Sequence, residues 1–118
     1  MAPDDADRDD ALIAQLRRGT LQFCVLALLS DGPRYAFDVV QGLAEVEGMV
    51  TSEGTIYPLL SRLRREGLVE TSWRESRAGP PRRYYELTAG GDAALSRFVT
   101  QWRGFSAAVD HLIAGRTA

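Results

Sequence analysis

The sequence predicts a mostly α fold with one small β-hairpin, an α+β chain of a single domain. Three observations carry this. Between Thr51 and Val69, the residues Ile56, Leu59, Leu60 and Leu63 recur at i, i+3, i+4 and i+7, which is the helical period. After Gly67 the period switches to two: Val69, Thr71 and Trp73 alternate with Glu70, Ser72 and Arg74, as in a half-buried strand. From Thr88 onward Leu95, Phe98, Trp102, Phe105, Val109 and Leu112 recur at spacings of 3, 4, 3, 4 and 3, an a/d seam along one long helix.

Taken in order, residues 1–8 read as a disordered acidic tail, small and polar with Pro3 inside it. Asp9 to Arg18 reads as a short helix with Leu12, Ile13 and Leu16 on one face and acids preceding bases along its dipole. Gly19 interrupts it, and Thr20 can cap the next helix. Leu21 to Leu29 is apolar almost all round, which marks a buried central helix and makes Cys24 a small buried hydrophobe. Asp31-Gly32-Pro33 is a turn. Arg34 to Val46 reads as an amphipathic helix whose inner stripe is Phe37, Val40, Leu43 and Ala44; Gly42 within it either weakens the helix or marks a close helix contact. Gly48-Met49-Val50 connects to the next helix.

That helix spans about residues 52–66. Ser52 and Thr55 are both credible N-caps. Because Pro58 fits only a first turn, either the cap lies near Thr55 or the helix starts at Ser52 and bends at the proline. At about 100° per residue, the side opposite the apolar stripe carries Gly54, Tyr57, Pro58, Ser61 and Arg65, with Arg62 and Arg64 flanking it. Two helices joined by a short connection, the second polar and basic, form a helix-turn-helix. The strand from Val69, a loop over Ser76 to Pro81 and a strand over Arg82 to Leu87 then make a wing (69–87). Such a hairpin is stable only when packed on the helices. Residues 9–87 thus read as a winged helix-turn-helix domain. The helix Thr88 to Gly115 is about 42 Å long at 1.5 Å per residue, more than a domain of this size can cover. A second copy of the chain is the expected cover, so 88–115 reads as a dimerisation helix with Leu95, Phe98, Trp102, Phe105, Val109 and Leu112 at the interface. Gly104 inside it permits close approach or a kink.

Composition sets bounds on function. The net charge of −2 conceals an uneven distribution: the first ten residues hold five Asp against one Arg, whereas residues 54–85 hold seven Arg against three Glu. Charges more than about 10 Å apart are largely screened, so the local basic field governs binding. All 14 basic residues are arginine. No apolar run approaches the ~18 residues of a membrane span, and the acidic N-terminus is unlike a secretion signal. The single cysteine excludes an internal disulfide framework and suits a reducing cytoplasm. One histidine (His111, expected beside the dimer seam) and Cys24 lie on separate helices, with no paired metal ligands and no phosphate-binding glycine loop; Gly90-Gly91 lacks the strand-to-helix fingerprint. No catalytic residue, metal or cofactor is therefore assigned.

Several segments together resemble the PadR-type winged-helix transcriptional regulators over residues 19 to 113. They are Gly19-Thr20-Leu21, Gly54-Thr55-Ile56-Tyr57-Pro58 with Leu63 and Glu66-Gly67-Leu68, and Pro81-Arg82-Arg83-Tyr84-Tyr85 with Leu87-Thr88 and Gly91. The single C-terminal helix is similar to the short branch of that family. The resemblance implies a repressor whose recognition helix begins near Ser52, with Ser52, Thr55, Tyr57, Pro58 and Ser61 facing the groove and Arg62 and Arg65 turned toward phosphates. It also implies a planar aromatic effector held between the C-terminal helices of a dimer on Trp102, with Phe98 and Phe105 beside it. Two departures stand out. Tyr35-Ala36-Phe37 replaces the His-Gly-Tyr frequent in the family, and the acidic N-terminal tail is outside the pattern.

The expected function is a homodimeric repressor that binds a palindromic double-stranded operator, with half-sites about one turn of DNA apart, and is released by a small aromatic ligand. Wing residues Arg77, Arg82 and Arg83 neutralise phosphate, while Ser61 and Arg65 are placed to read base edges. Two local alternatives remain: Arg82 pinned across the hairpin to Glu70 or Glu75, and Trp102 simply filling the seam. The competing function is a dimeric ligand-sensing or protein-interaction module without specific DNA binding.

Overall fold

The structure, a computed structural model, describes residues 3–46, 48–49 and 52–116. Met1 and Ala2 of the tail, and Val50 and Thr51 of the connector, lie outside the described residues. Helix α1 runs Pro3–Arg18, α2 Leu21–Leu29, α3 Ala36–Ala44, α4 Glu53–Arg65 and α5 Ala89–Ala114; strands β1 (Arg34–Tyr35), β2 (Val69–Ser76) and β3 (Gly79–Leu87) form an antiparallel sheet of order β1-β3-β2. The α+β winged helix with a long C-terminal helix is the architecture.

Three expectations need correction. The acidic segment is helical from Pro3, not a disordered tail over 1–8. Proline suits the first helical position, and acidic residues in the opening turns of a helix are stabilised by the positive end of its dipole. Second, Arg34 and Tyr35 are extended, pairing with Tyr85 and Tyr84, so α3 begins two residues late. Its inner stripe is Ala36, Val39 and Leu43; Phe37 stays 45% exposed and Ala44 exposed, with Val40 half-buried. The stripe is out of phase because Phe37 turns toward the sheet, its ring stacked 6.4 Å from that of Tyr35. Third, the strands extend into the expected loop, leaving Arg77 and Ala78 at the turn. Prolines 80 and 81 are tolerated because β1 reaches β3 only at Tyr84 and Tyr85, leaving an edge there, and because the register shifts between Arg74 and Ser76.

The core is one cluster. Val25, Leu26 and Leu29 of α2 meet Ala36, Val39 and Leu43 of α3, Ile56, Leu60 and Leu63 of α4, and Val69 and Tyr85 of the sheet. Each fully buried aliphatic here contributes about 1.5–3 kcal/mol. Leu59 packs at the margin. Gly42 makes a close helix contact, since a Cβ there would lie 3.1 Å from Leu28 Cδ2.

The sheet is tied to α5 by Thr88. Its hydroxyl donates to the Gly67 carbonyl at 2.6 Å and accepts from the Gly91 amide at 3.0 Å, so one side chain closes the end of α4 and caps the start of α5. Leu95 packs on the core, and Phe98 stacks on Phe23 with centroids 4.2 Å apart. Beyond that point α5 leaves the body, and the molecule measures 57 × 35 × 21 Å. A Cβ at Gly104 would meet nothing within 4 Å, and α5 is continuous through it.

Candidate nucleic-acid interface

The outward face of α4 is a consequence of its buried one. Ile56, Leu60 and Leu63 are fully buried. At about 100° per residue this sends Gly54, Pro58 and Arg65 directly away from the core. Tyr57, Ser61 and Arg64 fall on the flank toward the wing, and Thr55 and Arg62 on the opposite flank. All of these residues are exposed.

Helix α4 starts at Glu53 with Ser52 as its N-cap residue, so of the two starts allowed by the sequence the earlier one is adopted. Ser52 makes no side-chain cap bond; its Oγ lies 3.3 Å from the Thr55 hydroxyl, clustering two hydroxyls at the helix entrance. Pro58 sits inside the helix, not in its first turn. It has no N–H to donate to the Gly54 carbonyl, which is thereby left without its helical partner on the exposed face.

Between α4 and the wing lies a cleft of about 310 Å³ lined by Ser61, Arg64, Arg65, Arg83 and Tyr85. Arg64 is a member that periodicity had left merely flanking the outer face. No carboxylate lines this cleft, so its three guanidiniums suit an anion, and their planar donor sets match phosphate oxygens.

Along the wing, Arg74 faces Arg82 and Trp73 faces Arg83 across the β2–β3 ladder. Among the described residues Arg82 forms no ion pair with Glu70 or Glu75. Instead the Arg82 guanidinium lies over the Tyr35 ring at 4.6 Å, Arg74 over Tyr84 at 4.9 Å, and Arg83 over Trp73 at 5.0 Å. Like charges placed directly opposite on a ladder repel. The aromatic faces beneath them offset part of that cost and hold the guanidiniums outward. Arg77 projects from the turn at the wing tip, exposed. On α4, Arg62 donates to Gln22 Oε1 at 3.3 Å and pairs with Glu66 at 3.8 Å.

A second feature is apolar. A groove of about 850 Å³ runs between α1 and α5, its walls formed chiefly by Ile13, Leu16, Phe98, Trp102, Phe105 and Val109. Trp102 stacks on Phe98 with centroids 5.9 Å apart, continuing the stack onto Phe23. Of the expected seam, Leu95 and Phe98 are thus engaged within the chain, whereas Trp102, Phe105, Val109 and Leu112 are uncovered. Among the described residues no group of three or more His, Cys, Asp or Glu side chains is placed to hold a metal ion. Burial raises the pKa of the Cys24 thiol above its ordinary value.

Comparison with known proteins gives a consistent picture. The model of the transcriptional regulator PadR-like family matches residues 25–97. A PadR family transcriptional regulator from Eggerthella lenta is similar in structure at a TM-score of 0.86, with 32% identity over 98% of this chain and 100% of that one. A PadR-like transcriptional regulator from Bacillus cereus superimposes at a TM-score of 0.79, with 34% identity over 86% of this chain and 99% of that one. An uncharacterized protein from Lysinibacillus sphaericus is 27% identical over 100 residues, 83% of this chain and 92% of its own.

Proposed function

The chain belongs to the transcriptional regulator PadR-like family, and from that premise we propose that it is a homodimeric, sequence-specific repressor, released from a palindromic operator by a small planar aromatic compound. Membership makes it a winged-helix DNA-binding regulator of transcription, not an enzyme.

One observation carries specific DNA binding: the exposed polar and arginine face of α4 stands beside a wing that keeps Arg74 opposite Arg82. That arrangement repels itself until an anionic strand lies across it. In this reading Ser52, Thr55, Tyr57, Pro58 and Ser61 enter the major groove, with Arg65 beside Ser61 reaching base edges. Arg62, Arg77, Arg82 and Arg83 neutralise phosphate. The uncovered half of α5, through Trp102, Phe105, Val109 and Leu112, packs against its copy in a second protomer. Two-fold symmetry then sets half-sites about one helical turn apart. Trp102, with Phe98 and Phe105, offers the flat apolar surface on which a planar effector stacks. Residence in the cytoplasm, with the operator, completes the proposal; among the described residues no single helix is long and apolar enough to cross a membrane.

The test is fluorescence anisotropy with the chain's own upstream DNA and a scrambled control at two salt concentrations. The expected result is a preference of about 10³-fold for the upstream fragment. Equal, weak and strongly salt-dependent binding to both would overturn specific recognition of that fragment. Absence of binding to either would instead favour a module that docks protein or ligand. Effector binding is read separately, by quenching of Trp102 emission in a Trp73→Phe background, which Phe105→Ala weakens.

A further inference from the structure

A third cleft lies on the other flank of α4, where α1 and α2 meet it. It has a volume of about 390 Å³, and Arg17, Arg18, Gln22, Thr55 and Arg62 supply its polar lining. We propose that this cleft seats a backbone phosphate of the same duplex that α4 enters, so that the recognition helix is straddled by two phosphate seats, one against the wing and one here. The inference rests on the DNA-binding reading above and adds Arg17 and Arg18 to it.

Charge is the first argument. Three guanidiniums converge on the cleft and no carboxylate lines it. Each arginine also has a distinct standing. Arg17 Nη1 donates to the Gly48 carbonyl at 2.8 Å, which anchors the end of α1 and leaves the other N–H groups of that guanidinium for a ligand. Arg62 is held in orientation by Gln22 and Glu66. Arg18 is exposed and makes no ion pair among the described residues. Two positioned cations and one uncommitted cation, with the Thr55 hydroxyl at the edge, make a seat for a phosphodiester oxygen.

Geometry is the second argument, and it favours duplex phosphate over a free anion. Thr55 and Arg62 project from the flank of α4 opposite Ser61 and Arg64, which line the cleft at the wing. A helix with its side chains is about 10–12 Å across, and the major groove is about 12 Å wide. Clefts on the two flanks of a helix in the groove therefore meet the two phosphate strands that border it. Phosphate contacts of this kind fix register and orientation and carry no base preference.

The experiment compares Arg18→Ala with wild type in binding titrations across salt, on the operator and on scrambled DNA. Arg18 is exposed and bonded to nothing that holds the fold, so the variant keeps its structure. The expected result is a salt-dependence slope shallower by about 0.9, the value of one phosphate contact. Affinity falls by the same factor on both sequences, and Arg18→Lys restores it. Replacing single phosphates beside the groove with methylphosphonates weakens wild type at one position where Arg18→Ala shows no further loss. Arg83→Ala, on the wing, is measured in parallel. If it lowers the slope while Arg18→Ala leaves slope and affinity unchanged, the second seat is overturned and the DNA-binding reading stands. If wild type binds neither DNA, both fall together.

Discussion

Gly91 is buried where the first turn of α5 crosses the backbone that leads into β2. A Cβ there would run into the Leu68 carbonyl and lie 3.1 Å from Leu87 Cδ2. Gly91→Ala therefore lowers stability by about 1–3 kcal/mol as the helix is pushed off, read as a fall in the urea midpoint. Gly90→Ala is the contrasting case. Its Cβ would meet the Gly67 carbonyl at 3.4 Å and the Thr88 hydroxyl at 3.6 Å, both ordinary contacts, and alanine is the better helix former, so stability is unchanged or rises by up to about 1 kcal/mol. Equal effects of the two substitutions would contradict this packing. Chemical inertness is expected at Cys24 on similar grounds. Burial raises its pKa, so the thiol stays protonated at neutral pH. It reacts with a thiol-specific reagent far more slowly in the native protein than in urea. Thr88 as a helix cap was legible in the sequence, because a capping residue precedes its own helix. The need for glycine at 91 was carried only by family resemblance, since the atom that excludes a side chain belongs to Leu68, remote along the chain.

At the scale of elements, α4 was legible because its stripe is unambiguous: Ile56, Leu59, Leu60 and Leu63 fall at i, i+3, i+4 and i+7, and that period fixes a single phase. Helix α3 was not. Phe37, Val39 and Val40 lie within four residues, so a nine-residue helix satisfies the helical period in more than one phase. Tertiary contacts decide, and the Tyr35 ring takes Phe37. Strand β1 was also invisible, because two residues have no period and their partners, Tyr84 and Tyr85, come much later. Pro58 is where α4 departs from what stability alone would select. Pro58→Ala restores a donor to the Gly54 carbonyl and removes the ring's clash, raising helix stability by about 1–3 kcal/mol. If that free carbonyl serves the groove, the same variant binds operator more weakly despite its higher Tm. A rise in Tm with unaltered DNA affinity would remove Pro58 from the interface.

The whole molecule is longer than its core requires. Its radius of gyration is 17.1 Å, against about 13 Å for a compact domain of 100 residues, and the excess is the half of α5 that leaves the body. There Leu112 is 74% exposed, with Phe105, Val109 and Ile113 also uncovered and, across the groove, Ile13 and Leu16 of α1. Isolated apolar residues on a surface are ordinary, but a continuous row on two adjoining helices marks an interaction surface. In the proposed dimer this row is covered by its copy, and the groove beside Trp102 becomes a space shared between protomers. Leu112 lies outside the lining of that groove, so a substitution there probes assembly apart from effector binding. Leu112→Asp places a charge in the seam and leaves the core untouched. The expected outcome is a shift from dimer to monomer by light scattering, with unchanged secondary structure. Joining two half-sites through one dimer gains about 10²–10⁴ in avidity. The variant therefore loses that factor on the full operator while its affinity for an isolated half-site stays at the wild-type value. Weakened half-site binding would mean that the substitution had damaged the winged helix itself. A full-operator affinity equal to wild type would mean that the DNA, not the α5 seam, brings the two copies together.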